Sequence, residues 1–132
     1  MTQNEKDLLL KDLCARLPYN INVYDNNGNF NTSYVNLLHI NGKVSEAFVG
    51  NGMQCRTAPI DEIRPYLFPL SSMTEEQKRE FDISMDMGYA TAYNAEINCA
   101  NRMIDFFNKY HLDYRGLIPM ELAIDATGLN IY

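Results

Sequence analysis

Apolar and small residues between Thr74 and Tyr110 recur at steps of three and four. Phe81, Met85, Gly88, Ala92, Ala95, Cys99, Met103, Phe106 and Tyr110 fall on one stripe of a 3.6-residue helix. From Tyr89 a second stripe joins it through Tyr93, Ile97, Ala100, Ile104 and Phe107. The spacing predicts one long helix or two nearly collinear ones. The C-terminal half shows a broad apolar face that needs burial on more than one side, so the rest of the domain is expected to wrap around residues 89–110. The N-terminal half shows only a narrow seam.

Length sharpens that expectation. An unbroken helix over 75–110 would run about 54 Å, against a diameter of roughly 36 Å for a compact domain of this size. It must break or project. A break or bend between residues 82 and 94 is expected, with Gly88 the favoured place because glycine costs about 1 kcal/mol in a helix interior. Phe81, Ile83, Met85 and Met87 also alternate there, which weakens the helical pattern. The competing outcome is a straight helix that carries Phe81 and Met85 into solvent and pairs with a second copy.

Ahead of this stretch, residues 2–17 read as a helix. Thr2 and Glu5 make a capping box, Leu10, Leu13, Cys14 and Leu17 form the inner face, and Pro18 ends it. Strands follow between residues 20 and 58. Ile21 and Val23 alternate with polar neighbours before Asn26-Asn27-Gly28-Asn29, a strong hairpin signal. Phe30, Thr32 and Tyr34 share a face of the next strand, and Val35, Leu37, Leu38 and Ile40 break the alternation as a bulge would. Asn41-Gly42 and Gly50-Asn51-Gly52 mark further turns around strands 44–49 and 53–58.

Pro59 to Pro69 reads as an apolar connector lying over a core edge. Thr74 with Gln77, or Ser72 with Glu75, caps the long helical stretch. Ile118, Leu122, Ile124 and Leu129 are expected to pin the tail. The fold class is α+β in one domain, 1–132: an N-terminal helix, a short antiparallel β-meander or small partly open barrel, long broken C-terminal helices and a docked tail.

Composition narrows the function classes. The formal net charge of −6 argues against phosphate-backbone binding, which needs a basic stripe. No apolar run approaches the ~20 residues of a membrane span, and the charged N-terminus is not a secretory signal. A cytoplasmic protein is expected, its three cysteines (Cys14, Cys55, Cys99) reduced, with Cys14 and Cys99 buried. The two histidines and scattered cysteines give no metal-ligand spacing, and Gly50-Asn51-Gly52 is a hairpin turn rather than a phosphate loop. No metal and no cofactor are expected.

The suggestive cluster for chemistry is Cys99, Asp105, His111, Asp113 and Arg115. Cys99 and His111 are separated by about 18 Å of helix rise, so they cannot meet within one straight helix. Cys99 has the neighbours of a core cysteine, and no catalytic residue is assigned. His111, Asp113, Tyr114 and Arg115 leave the helix end together. Arg115 offers a forked donor for a carboxylate or phosphate, though a helix stop that docks the tail is the plainer reading. Asn94, Asn98 and Asn101, followed by Asp105 and Asn108, form an amide stripe that suits a partner or glycan, or a solvated face. Glu96 sits between the apolar stripes. A helix restarting near Asn94 would place it in a first turn, and otherwise Arg16 or Arg64 must pair with it. Tyr24, Phe30, Tyr34 and Phe48 on the meander are core residues first and base-stacking residues second.

Three blocks carry a resemblance: Lys11-Asp12-Leu13-Cys14-Ala15-Arg16-Leu17-Pro18-Tyr19, then Arg64-Pro65-Tyr66-Leu67-Phe68-Pro69-Leu70-Ser71-Ser72-Met73-Thr74, then the run from Ile104 to Ile118. Together they resemble a family of small uncharacterised proteins encoded by gut bacteria and their phages or prophages. The resemblance implies a setting and no mechanism. With no catalytic set and a helical stretch too long for its domain, the sequence favours a non-enzymatic protein-binding module with a protein partner. A homo-oligomer through the 74–92 helix is a further expectation. The alternatives are a small enzyme using the His111–Arg115 turn, or nucleic-acid binding through the meander.

Overall fold

A computed structural model of the chain describes residues 1–27, 30–32, 34–40, 43–50, 55–90 and 94–132. Helix α1 (Gln3–Arg16) opens on the expected capping box. Thr2 accepts from the Glu5 amide and the Glu5 carboxylate accepts from the Thr2 amide. A 3-10 turn through Pro18, Leu17–Tyr19, ends it. Its inward residues are Leu9, Asp12, Leu13 and Arg16. Leu10 and Leu17 only flank this face, and Cys14, expected inside, is exposed. The reason is electrostatic: Asp12 and Arg16 satisfy each other, so a charged pair takes two inward positions and rotates the helix away from Cys14.

The strands form two sheets rather than one meander. Strand β1 (Val23–Asp25) pairs antiparallel with β2 (Phe30–Thr32) and with β6 (Ile63–Leu67), and β6 pairs parallel with β7 (Ile124–Asp125). The second sheet is the antiparallel run β3 (Tyr34–Ile40), β4 (Lys43–Gly50) and β5 (Cys55–Pro59). A register shift at Leu38/His39 supplies the bulge that the broken alternation indicates. Among the described residues neither sheet closes into a barrel. The supposed connector thus contains β6, a strand with Ile63, Pro65, Tyr66 and Leu67 buried. Proline is tolerated there because the chain needs no donor at that ladder position. The expected turns at Gly28-Asn29, Asn41-Gly42 and Asn51-Gly52 lie outside the described residues.

Leu9 and Leu13 of α1 meet Ile21, Val23, Ala47, Val49, Ala58, Ile60, Ile63 and Leu67 in one core, closed from the tail by Leu117, Leu122 and Ala123. Ile118 packs against it, whereas Leu129, expected to pin the tail, is exposed. The chain end is held instead by polar contacts. The Asn22 amide groups donate to the Tyr132 hydroxyl and the Ile131 carbonyl, and that hydroxyl donates to the Tyr66 carbonyl.

Helix α2 (Glu75–Ala90) starts on the Thr74–Gln77 capping box, and α3 (Ala95–Lys109) follows it. The break falls within the expected interval but not at Gly88, which is helical and buried. The two helices are not collinear: α3 folds back antiparallel along α2. Phe81 meets Phe106 and Phe107 at 5.3 and 5.8 Å between ring centroids, and the Cys99 thiol lies 3.6 Å from the Met85 carbonyl.

Gly88 is the point of closest approach. A Cβ there would lie 2.8 Å from Cys99 Sγ and 3.4 Å from Cys99 Cα. The helical cost of glycine is exchanged for tight packing between the helices. Gly88→Ala should therefore lose about 1 kcal/mol or more in denaturant titration, although alanine is the better helix former. Adding Cys99→Ala should recover most of the loss; a stabilised single variant would show that the helices separate freely.

Candidate interaction surface

The polar turn after α3 is built into the body. Tyr110 ends the helix and His111 adopts a left-handed conformation, φ 54°. The His111 carbonyl accepts from the Phe68 amide at 2.9 Å, and the Asp113 amide donates to the Phe68 carbonyl at 2.8 Å. The Asp113 carboxylate then accepts the Leu117 and Ile118 amides, each at 2.8 Å, and so shapes the next turn. From α1, Arg16 makes a forked contact with Asp12 at 2.7 and 3.0 Å and donates to the Leu112 carbonyl at 2.8 Å. This cation sits at the C-terminal end of α3, where the helix dipole favours positive charge. Tyr114 stacks on Phe107, with the Arg16 and Arg115 guanidinium carbons 5.2 and 5.0 Å from its ring centre. Arg115 Nε is 3.4 Å from Asp12, an ion pair without hydrogen-bond geometry.

His111 is buried and lies parallel to the Tyr132 ring, 3.8 Å between centroids. Burial, and then the Arg16 charge, hold its pKa down to about 4 from the ordinary 6.5. The folded protein thus keeps the imidazole neutral where the unfolded chain protonates it. This contribution to stability is complete above the unfolded pKa of 6.5 and is lost as pH falls towards 4. His111→Asn, which tolerates the left-handed backbone, should be less steeply destabilised than wild type between those values in urea melts. Parallel pH profiles would show that His111 is not the titrating group.

The amide stripe is divided. Asn94, with φ 57°, precedes α3 and is exposed, as is Asn101; Asn98 is half-buried and Asn108 buried. Asp105 accepts weakly from the Tyr19 hydroxyl at 3.4 Å. Glu96 lies exposed in the first turn of α3, so it complements the dipole and needs neither arginine. Cys99 packs under Gly88, inside the hairpin and away from the His111 turn.

Among the described residues, the side-chain contacts from the body reach the hairpin near its base. Tyr19, Arg16 and Tyr114 reach α3 at Asp105 and Phe107, while Glu80 of α2 pairs with Lys109 at 2.7 Å and accepts from the Tyr110 hydroxyl. Beyond that, among the described residues the broad face expected to be wrapped is left in part exposed. Ile97, Ala100, Ile104 and Phe107 keep a three-four-three spacing, yet only Phe107 is covered. Ile97 is 60% and Ile104 41% exposed. On α2 the alternating residues separate: Phe81 packs on α3 and Met85 is half-buried, whereas Ile83 and Met87 are 61% and 54% exposed. Tyr89 is exposed as well. The sequence led to an expectation of burial for the face from residue 89 onward and assigned Ile83 and Met87 to no face, because periodicity identifies a stripe and not what covers it.

The body offers shallower features. An open cleft of about 490 Å³ is lined by Glu5, Asp61, Glu62 and Arg64, with Asp61 held by Lys6 and Glu62 by Arg56. Among the described residues no helix is long and apolar enough to cross a membrane. Comparison with protein-family models, curated proteins and solved structures gives no match.

Proposed function

We propose that the chain is a non-enzymatic protein-binding accessory module whose binding surface is the α2–α3 hairpin. Its setting is the phage or prophage one suggested by the sequence blocks, in the cytoplasm that the scattered cysteines suggest. The observation that carries this reading is the set of exposed apolar side chains at helical spacing, Ile83 and Met87 on α2 and Ile97 and Ile104 on α3, on a hairpin whose hydrogen bonds to the body, among the described residues, lie near its base. Large apolar side chains exposed together at helical spacing mark a docking surface more often than scattered single ones do. In the His111–Arg115 turn, Asp113 is spent on the Leu117 and Ile118 amides and Arg115 faces Asp12, which favours the hairpin as the recognition surface.

The test is capture of a partner from the native host, followed by reconstitution with that purified partner. Ile97→Ser with Ile104→Ser, or Ile83→Ser with Met87→Ser, should weaken binding about tenfold or more while leaving the circular-dichroism spectrum and melting midpoint near wild type. A partner bound equally well by both double variants would overturn the reading.

A further inference from the structure

Each sheet ends in two edge strands, whose outward backbone groups call for a partner or a device that blunts them. Three of the four edges are blunted. Strands β2 and β7 are three and two residues long, and β5 carries Arg56, tied to Asp25, and finishes on Pro59. Strand β3 has none of these devices. Its seven residues, Tyr34-Val35-Asn36-Leu37-Leu38-His39-Ile40, include no lysine, arginine, carboxylate or proline. The extra residue at the bulge, Ser45, belongs to β4, so β3 itself runs without an insertion. Among the described residues only β4 runs beside β3, and no backbone hydrogen bond leaves its outer edge.

We infer that this edge is closed by β3 of a second copy, antiparallel about a two-fold axis through Leu37. The two three-stranded sheets then join into one continuous sheet. A row of backbone donors and acceptors selects an extended strand and not a helix. The content of β3 selects itself. In this register Tyr34 stands opposite Ile40, Val35 opposite His39 and Asn36 opposite Leu38. No like charges are opposed, although the chain carries a net charge of −6, and each end gains an aromatic and β-branched pair, a favourable cross-strand combination. The contact is isologous, so it uses up the open edge of both copies at once and stops at two. It does not involve the α2–α3 hairpin.

Sedimentation of the full chain over a concentration series tests this. A monomer–dimer equilibrium is expected, and exchange of the residue 34–40 amide hydrogens should slow as the dimer fills. The two copies of Asn36 become diagonal neighbours across the axis. Asn36→Lys and Asn36→Asp should therefore each weaken the dimer about fivefold or more. An equimolar mixture of the two variants should recover it, because opposite charges then meet and both variants are shown to be folded. Ile83→Ser with Met87→Ser should leave the dimer unchanged. A wild-type chain that stays monomeric at high micromolar concentration would overturn the inference, even if it captured an extended peptide. So would an open-ended assembly, a dimer indifferent to both charges, a mixture no tighter than its parents, or a dimer lost on the hairpin substitutions. The last result would place self-association on the hairpin. Loss of a host partner on the hairpin variants, with the dimer intact, bears on the hairpin reading alone.

Discussion

Arg16→Met should lower stability by about 3–5 kcal/mol, the largest loss expected from any single polar substitution in the chain. The guanidinium and the Asp12 carboxylate are both fully buried. Removing the cation leaves Asp12 desolvated, with only the longer Arg115 contact remaining. It also strips the Leu112 carbonyl of its donor and the Tyr114 ring of one flanking cation. Urea titration should show a lower midpoint with an unchanged slope. Asp12→Leu together with Arg16→Met should recover a large part of the loss, because no orphaned charge then stays buried. A single-variant loss below about 1 kcal/mol would mean that the pair behaves as a surface salt bridge.

Asp25→Ala is expected to cost about 3 kcal/mol, from two charge-assisted hydrogen bonds and the partly buried cation they hold. Asp25 on β1 is fully buried and takes Arg56 of β5 in a fork, both contacts at 2.5 Å, while Arg56 also reaches Glu62 at 2.6 Å. Those hydrogen bonds to Asp25 and then Glu62 raise the Arg56 pKa further above its usual value. Because β1 and β5 belong to different sheets, this network is a tie between them. The loss should appear as a lower melting midpoint, and Arg56→Ala should cost at least as much, because it leaves the fully buried Asp25 carboxylate without its cation whereas Asp25→Ala leaves a part-exposed Arg56 still paired with Glu62. Equal, small effects would indicate that the sheets are held together by apolar packing alone.

The parts of this fold legible in the sequence are those governed by neighbours along the chain. Thr2 with Glu5 and Thr74 with Gln77 are satisfied within four residues, so their caps could be read directly. The broken alternation before Ile40 likewise announces its bulge. Direction after a break is a different matter. Stripe periodicity places Phe81, Met85, Cys99 and Phe106 on one line whether the helices run on or fold back, and only the close approach at Gly88 decides. That approach also inverted the role given to Gly88. The β6 strand was hidden because three prolines between residues 59 and 69 resemble a connector; its partners, β1 and β7, lie far away in sequence. At the candidate site, the polar cluster from His111 to Arg115 drew attention by composition, yet its partners sit on α1 and near Phe68. The uncovered stripes were visible as apolar residues, but exposure is a property of the rest of the chain.

The core joins Leu9 and Leu13 to Leu117 and Leu122, and Arg16 bridges to Leu112. During synthesis the first helix therefore emerges long before the residues that cover it, and its leucines stay without their native neighbours until the tail is made. The hairpin needs no such wait, since α2 and α3 are adjacent in sequence and bury Phe81 against Phe106 by themselves. Contacts of long sequence separation carry the larger loop-closure cost, so the expected assembly order is a hairpin first and a body sealed from both ends of the chain afterwards.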